Sequence, residues 1–137
     1  MDDPLVLMTV PAEPSSVPLV RHAVSGLGAT DGWDPAFLTD VSVAVTEACE
    51  NAVAHGYPDS APGSVAVSIH LEGSRLTVRV VDDGVGFPAP APGDDRREGL
   101  GLMLMAALSD DLAIASPVGG PTDLRLTFHV VRVDGSQ

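Results

Sequence analysis

Residues 46–59 read TEACENAVAHGYPD, a polar face set into the end of a strongly periodic segment. Upstream, Asp34-Pro35 supplies a helix cap and a first-turn proline. Apolar side chains then recur at Phe37, Leu38, Val41, Val45, Ala48, Cys49, Ala52 and Val53 with helical spacing. That spacing predicts a helix to about His55, where Gly56 stops it and Pro58 forbids its continuation. On this helix Glu47 and Asn51 stand four residues apart and share one face, with Glu50 beside them and His55 one turn beyond. An Asn carbonyl oxygen can coordinate Mg²⁺, and a Glu carboxylate can take a proton from an incoming hydroxyl. Phosphoryl transfer needs both services near a triphosphate. Taken by themselves, the two residues read more simply as the solvent side of an amphipathic helix.

Working outward, Val65, Val67, Ile69 and Leu71 alternate with smaller or polar residues, and Leu76, Val78 and Val80 repeat the pattern after Glu72-Gly73-Ser74. This predicts a β-hairpin with one buried face. A short strand is expected over 5–10, then a helix capped by Ser15 or Ser16 and fading near Leu27, where Gly26 and Gly28 weaken it. The stretch PAPAPGDDRR at 88–97 is too rich in proline and charge for a core element and reads as a loop. Gly99-Leu100-Gly101 opens an apolar helix to about Leu108. A strand over 112–115, a turn at Gly119-Gly120-Pro121 and a last strand over 124–133 complete the chain. Helices covering one face of such a sheet make an α/β two-layer sandwich with a mixed, largely antiparallel sheet, expected as a single domain over 1–137.

Composition narrows function. Seven arginines, no lysine and 19 acidic residues give a formal charge of -12, which argues against nucleic acid and anionic membrane surfaces as direct partners. The missing lysine excludes a Walker-type nucleotide loop. A lone Cys49 permits no internal disulfide, and the expected compartment is the cytoplasm. Neither a secretory leader nor a membrane-length apolar run is evident. Cys49 is expected to pack as a small apolar side chain, and Trp33 and Phe37 as core or interface aromatics. His22, His70 and His129 show no metal-ligand spacing, and His55 reads as a helix-end or surface group.

Two further motifs follow. VVDDGVGFP at 80–88 puts acids and glycines directly after a predicted strand, where Asp82 could accept a hydrogen bond from a base amino group while Gly84 and Gly86 permit close approach. A tight turn at Asp83-Gly84 explains the residues as well. EGLGLMLMAALSDDLAI at 98–114 places Gly99, Leu100 and Gly101 at a helix start, where unpaired amides can receive phosphate; a flexible hinge before a core helix is the plainer alternative.

In this order, the three motifs resemble the ATP-binding fold shared by histidine kinases, the gyrase B subunit, a heat-shock chaperone and the MutL mismatch-repair proteins, the Bergerat or histidine-kinase-like ATPase fold. More closely, they resemble the stand-alone bacterial anti-sigma factor serine kinases, over about residues 12–131. The resemblance implies Mg²⁺ on Asn51, Glu47 as catalytic base, Asp82 reading the adenine amino group with Gly84 and Gly86 shaping that side, and Gly99, Leu100 and Gly101 on the phosphates. It further implies an ATP lid over 87–98, transfer to a serine of an anti-sigma-factor antagonist, sequestration of a sigma factor, and a homodimer. Glu50 stands where these kinases usually carry a neutral residue. It either joins the metal site or points away. Thr122 matches a hydroxyl contact only through an altered turn, and Arg96 and Arg97 either meet phosphates or offset neighbouring acids. The competing reading is an ATP-binding regulatory module that controls partner binding without phosphoryl transfer.

Overall fold

A computed structural model describes residues 3–56, 63–83, 96–115 and 121–133. Within them five strands, β1 (Val6–Pro11), β2 (Ser64–Glu72), β3 (Arg75–Asp82), β4 (Asp111–Ala115) and β5 (Asp123–His129), pair antiparallel in the order β1-β2-β3-β5-β4. The helices α1 (Val17–Asp31), α2 (Pro35–Gly56) and α3 (Arg96–Leu108) lie on one face of this sheet. The two-layer expectation holds, and every strand pairing is antiparallel.

The alternation read from sequence becomes the core. Val65, Val67 and Ile69 of β2, Leu76, Val78 and Val80 of β3, and Leu124, Leu126 and Phe128 of β5 are each at most 2% exposed. They meet Val41, Ala44, Val45 and Ala48 of α2, equally buried. Each large side chain so removed from water contributes about 1.5–3 kcal/mol, and α2 is held on the sheet by this apolar face. Its start is fixed as expected: the Ala36 amide donates to Asp34 Oδ2 at 3.0 Å, and Pro35 opens the helix.

Three boundaries differ from expectation, each for a tertiary reason. α1 continues past Gly26 and Gly28 to Asp31 and is closed by Gly32 at φ 71°, with the Trp33 amide donating to the Gly28 carbonyl at 2.9 Å. Gly28 is not a terminator but a point of close approach. A Cβ there would lie 2.8 Å from Leu38 Cδ1 and 2.9 Å from Trp33 Cε3. The last strand stops at His129. Residues 130–133 instead cross the α1–α2 connection, where the Asp34 amide donates to the Val131 carbonyl at 2.8 Å and the Val133 amide to Gly32 at 2.9 Å. Arg132 completes this strap, donating to Asp31 Oδ2 at 2.9 Å and to the Gly73 carbonyl at 2.9 Å. Trp33, 5% exposed, sits beneath it edge-on to Phe37 at 5.2 Å, and Phe37 continues to Phe128 at 6.2 Å. The strap thereby anchors the beginning of α2. Finally, α3 begins at Arg96, inside the stretch read as a loop.

Candidate active site

Strand alternation decides which of two adjacent acids enters the cleft. β3 pairs Asp82 with Val65, on the inward side with Val80, and Asp82 is 3% exposed. Its amide donates to the Thr122 carbonyl at 3.1 Å, and the Thr122 amide approaches Asp82 Oδ1 at 3.4 Å. Thr122 itself is 5% exposed. Asp83 turns the other way and receives the Ser64 amide at 3.0 Å and the Ser64 hydroxyl at 3.1 Å. Ser64 was not singled out by its sequence, because its role depends on strand register. It ties the ends of β2 and β3 together beside Asp82.

The inner face of α2 meets this strand end. Ala48, Asn51 and Ala52 line one narrow cleft with Val80, Asp82, Thr122 and Leu124. At the same helix face, α3 brings Gly101 against the expected phosphoryl-transfer pair. A Cβ on Gly101 would lie 3.6 Å from Asn51 Nδ2 and 3.7 Å from both Asn51 Oδ1 and Glu47 Oε1. Glu47, Asn51, Asp82, Gly101 and Thr122 therefore share one region. Gly84, Gly86 and residues 87–95 of the expected lid lie outside the described residues, as do the side chains of His55, Arg96 and Arg97. Leu100 is 64% exposed, so its side chain is turned away from the cleft. Because α3 starts at Arg96, Gly99 is its fourth residue and Gly101 its sixth. Gly101 is thus past the unpaired amides of the first turn, and what it offers Asn51 and Glu47 is the lack of a side chain.

Electrostatics set Glu47 apart. Burial pushes its carboxyl above the ordinary glutamate range, and Glu50, hydrogen-bonded to it and adding a like charge, pushes the same way. Glu50 is exposed and belongs to this carboxyl pair rather than pointing away. Cys49, on the opposite, buried side, has a thiol pushed up to about 12, first by burial and then by the Glu50 charge. It packs as an apolar residue.

The chemistry of the donor set fits a metal-escorted triphosphate. Among the described residues no group of three His, Cys, Asp or Glu side chains could hold a metal ion. A cation held by Asn51 would be of the kind that keeps phosphate and water ligands, the usual habit of Mg²⁺. The buried Asp82 offers a carboxylate in the same cleft as Asn51, and Gly101 carries no side chain against Asn51 and Glu47.

Comparison with known proteins bears on the family and the fold. A family model described as the histidine kinase-like ATPase domain matches residues 10–128. The serine-protein kinase RsbW of Bacillus velezensis is 34% identical across 93% of this chain and 88% of its own length, and that of Bacillus subtilis is 31% identical with the same coverage. The anti-sigma F factor of Bacillus licheniformis is 34% identical across 68% of this chain and 70% of its own length. Among solved structures, the RsbU and RsbW domains of Rv1364c from Mycobacterium tuberculosis superpose with a TM-score of 0.73 at 25% identity. That match covers 96% of this chain and 34% of the longer one.

Proposed function

Since the chain belongs to the histidine kinase-like ATPase family, among its bacterial serine-protein kinases and anti-sigma factors, we propose that it binds Mg²⁺-ATP in the α2–β3 cleft and phosphorylates a serine of an anti-sigma-factor antagonist. One observation carries this reading: Gly101 faces both Asn51 and Glu47, and Asn51 also lines a narrow cleft with the buried Asp82. Bound ATP supplies the phosphoryl group. Asn51 Oδ1 holds the cation, and Asp82 accepts a hydrogen bond from the adenine amino group, backed by Thr122. Glu47 would orient the acceptor serine and take its hydroxyl proton as the serine oxygen bonds to the γ-phosphorus and the bond from that phosphorus to the β–γ bridging oxygen breaks, releasing ADP. Burial and the neighbouring Glu50 raise the proton affinity of Glu47, the direction that suits a proton acceptor. Control of a sigma factor through the state of the antagonist, a homodimeric assembly and a cytoplasmic setting belong to the same reading. No described helix is long and apolar enough to cross a membrane.

Calorimetry with Mg²⁺-ATP tests the binding half. Saturable binding to wild type and at least tenfold weaker binding to Asp82→Asn are expected, and absence of binding to folded wild type refutes it. Phosphosite mapping after incubation with γ-labelled ATP and the soluble proteins of the source organism tests transfer. Binding without any phosphoserine product would favour the regulatory module instead.

A further inference from the structure

Residues 99–108 of α3 read GLGLMLMAAL, ten positions without one polar side chain, although only one face of the helix is buried. Gly101 and Met105 are buried and Leu102 and Leu108 half-buried on that face. Leu100, Met103, Leu104 and Ala107 follow the i, i+3, i+4, i+7 spacing of a second apolar stripe. It faces solvent: Leu100 is 64% exposed, Met103 68% and Leu104 38%. A helix on the surface of a protein that works alone carries polar side chains there. The fold does not need this stripe, since Met105 and its neighbours already seal the core. Nor does the stripe border the candidate site, since it is Gly101, on the adjoining face, that lies against Asn51 and Glu47.

Position identifies the occupant. A helix with its side chains is only about 10–12 Å across, so a protein seated on the stripe comes within that distance of the Gly101 backbone. Gly101 in turn faces Asn51 and Glu47. A protein seated on the stripe therefore stands one helix diameter from the residues that would receive its serine hydroxyl. We propose that Leu100, Met103, Leu104 and Ala107 form the docking surface for the phosphoacceptor protein, which meets them with an apolar face of its own. This deepens the kinase reading and rests on it. Binding at this stripe brings the acceptor serine alongside the transfer site, converting a chance encounter into a positioned one.

The probe is the protein whose serine wild type phosphorylates in extracts of the source organism, identified by phosphosite mapping and then purified. Steady-state transfer is compared for wild type, Met103→Gln and Met103→Gln/Leu104→Gln, all retaining a good helix former at exposed positions. The expected result is a KM for the acceptor protein raised at least about tenfold in the double variant and partly in Met103→Gln, with Mg²⁺-ATP affinity and unfolding temperature unchanged. An unchanged KM overturns the proposal, as does a loss confined to nucleotide affinity or a change in oligomeric mass on substitution, which would assign the stripe to a second copy. The single variant keeps the test alive if the double one fails to fold. No phosphoserine product with wild type would overturn the kinase reading itself, which separates the two failures.

Discussion

Replacing Gly101 by Ala should strengthen the fold and weaken nucleotide binding at the same time. Gly101 lies inside α3, where alanine is favoured over glycine by about 1 kcal/mol. The added methyl would meet Asn51 and Glu47 at 3.6–3.7 Å, ordinary contact distances, so no overlap cancels that gain. With an unfolding entropy of roughly 2.1 cal/mol/K per residue, about 1 kcal/mol corresponds to a rise of roughly 3–4 °C in Tm for a chain of 137 residues. The nucleotide side responds in the opposite sense. On the proposed reading Asn51 would hold the cation, and the methyl would stand 3.7 Å from its Oδ1, in space that the cation's other ligands would share. A loss of at least about tenfold in Mg²⁺-ADP affinity, about 1.4 kcal/mol, is expected. Gly28→Ala is the control. It gains the same helical preference but puts its Cβ 2.8 Å from Leu38 Cδ1 and 2.9 Å from the Trp33 ring, and overpacking of that kind costs about 1–3 kcal/mol. Its Tm should fall while nucleotide affinity stays put. Thermal unfolding without nucleotide and calorimetry with Mg²⁺-ADP read both quantities. An unchanged affinity would show that Gly101 does not face the nucleotide site, and a lower Tm that the methyl does not fit beside Asn51 and Glu47.

Glu47→Gln should lower phosphoryl transfer by about 10²–10⁴-fold in single-turnover assays while Mg²⁺-ATP affinity changes little. Because the folded carboxyl titrates above the unfolded one, wild type loses stability as pH rises through the folded value and the glutamine variant does not. The variant should therefore be the more stable at pH 7, and denaturant unfolding across pH checks the sign. Asp123 is held below the ordinary carboxylate range first by its hydrogen bond to Arg79, so that contribution is present above the unfolded value and fades in acid. With Arg79 43% exposed it is worth under about 1 kcal/mol, and Arg79→Met should cost that little near neutrality and progressively less as the pH falls through the folded Asp123 value. Cys49 should resist an aromatic disulfide reagent at pH 8 in the native protein and react on unfolding; prompt native reaction would contradict its burial.

The local pattern was sufficient wherever chemistry and periodicity pointed the same way. Apolar spacing before Glu47 and Asn51, the Asp34-Pro35 cap and the alternation at 65–80 gave the long helix, the hairpin and the face that each buries, because period and cap are properties of neighbours in sequence. The same patterns misplaced the ends of three elements. Glycine is ambiguous in sequence: Gly28 was read as a helix weakener, yet it is the one residue small enough to let α1 pass Trp33 and Leu38. Residues 130–133 have the composition of a strand, but their backbone groups find partners at Gly32, Asp34 and Ser74 instead of in the sheet.

What the sequence determined by itself was the inventory of the site: an Asn and a Glu one helical turn apart, an acid after a strand, and glycines before an apolar helix. Tertiary structure decided how they meet. Strand register turned Asp82 inward and gave Asp83 to Ser64, and helix packing set Gly101 against Asn51 and Glu47 and joined Glu50 to Glu47. It also left the outer stripe of α3 uncovered. The physical reason is the same in each case. Side-chain direction repeats along a single element, whereas a contact between elements depends on register and on the distance at which two surfaces come to rest, and neither quantity is written in any one segment.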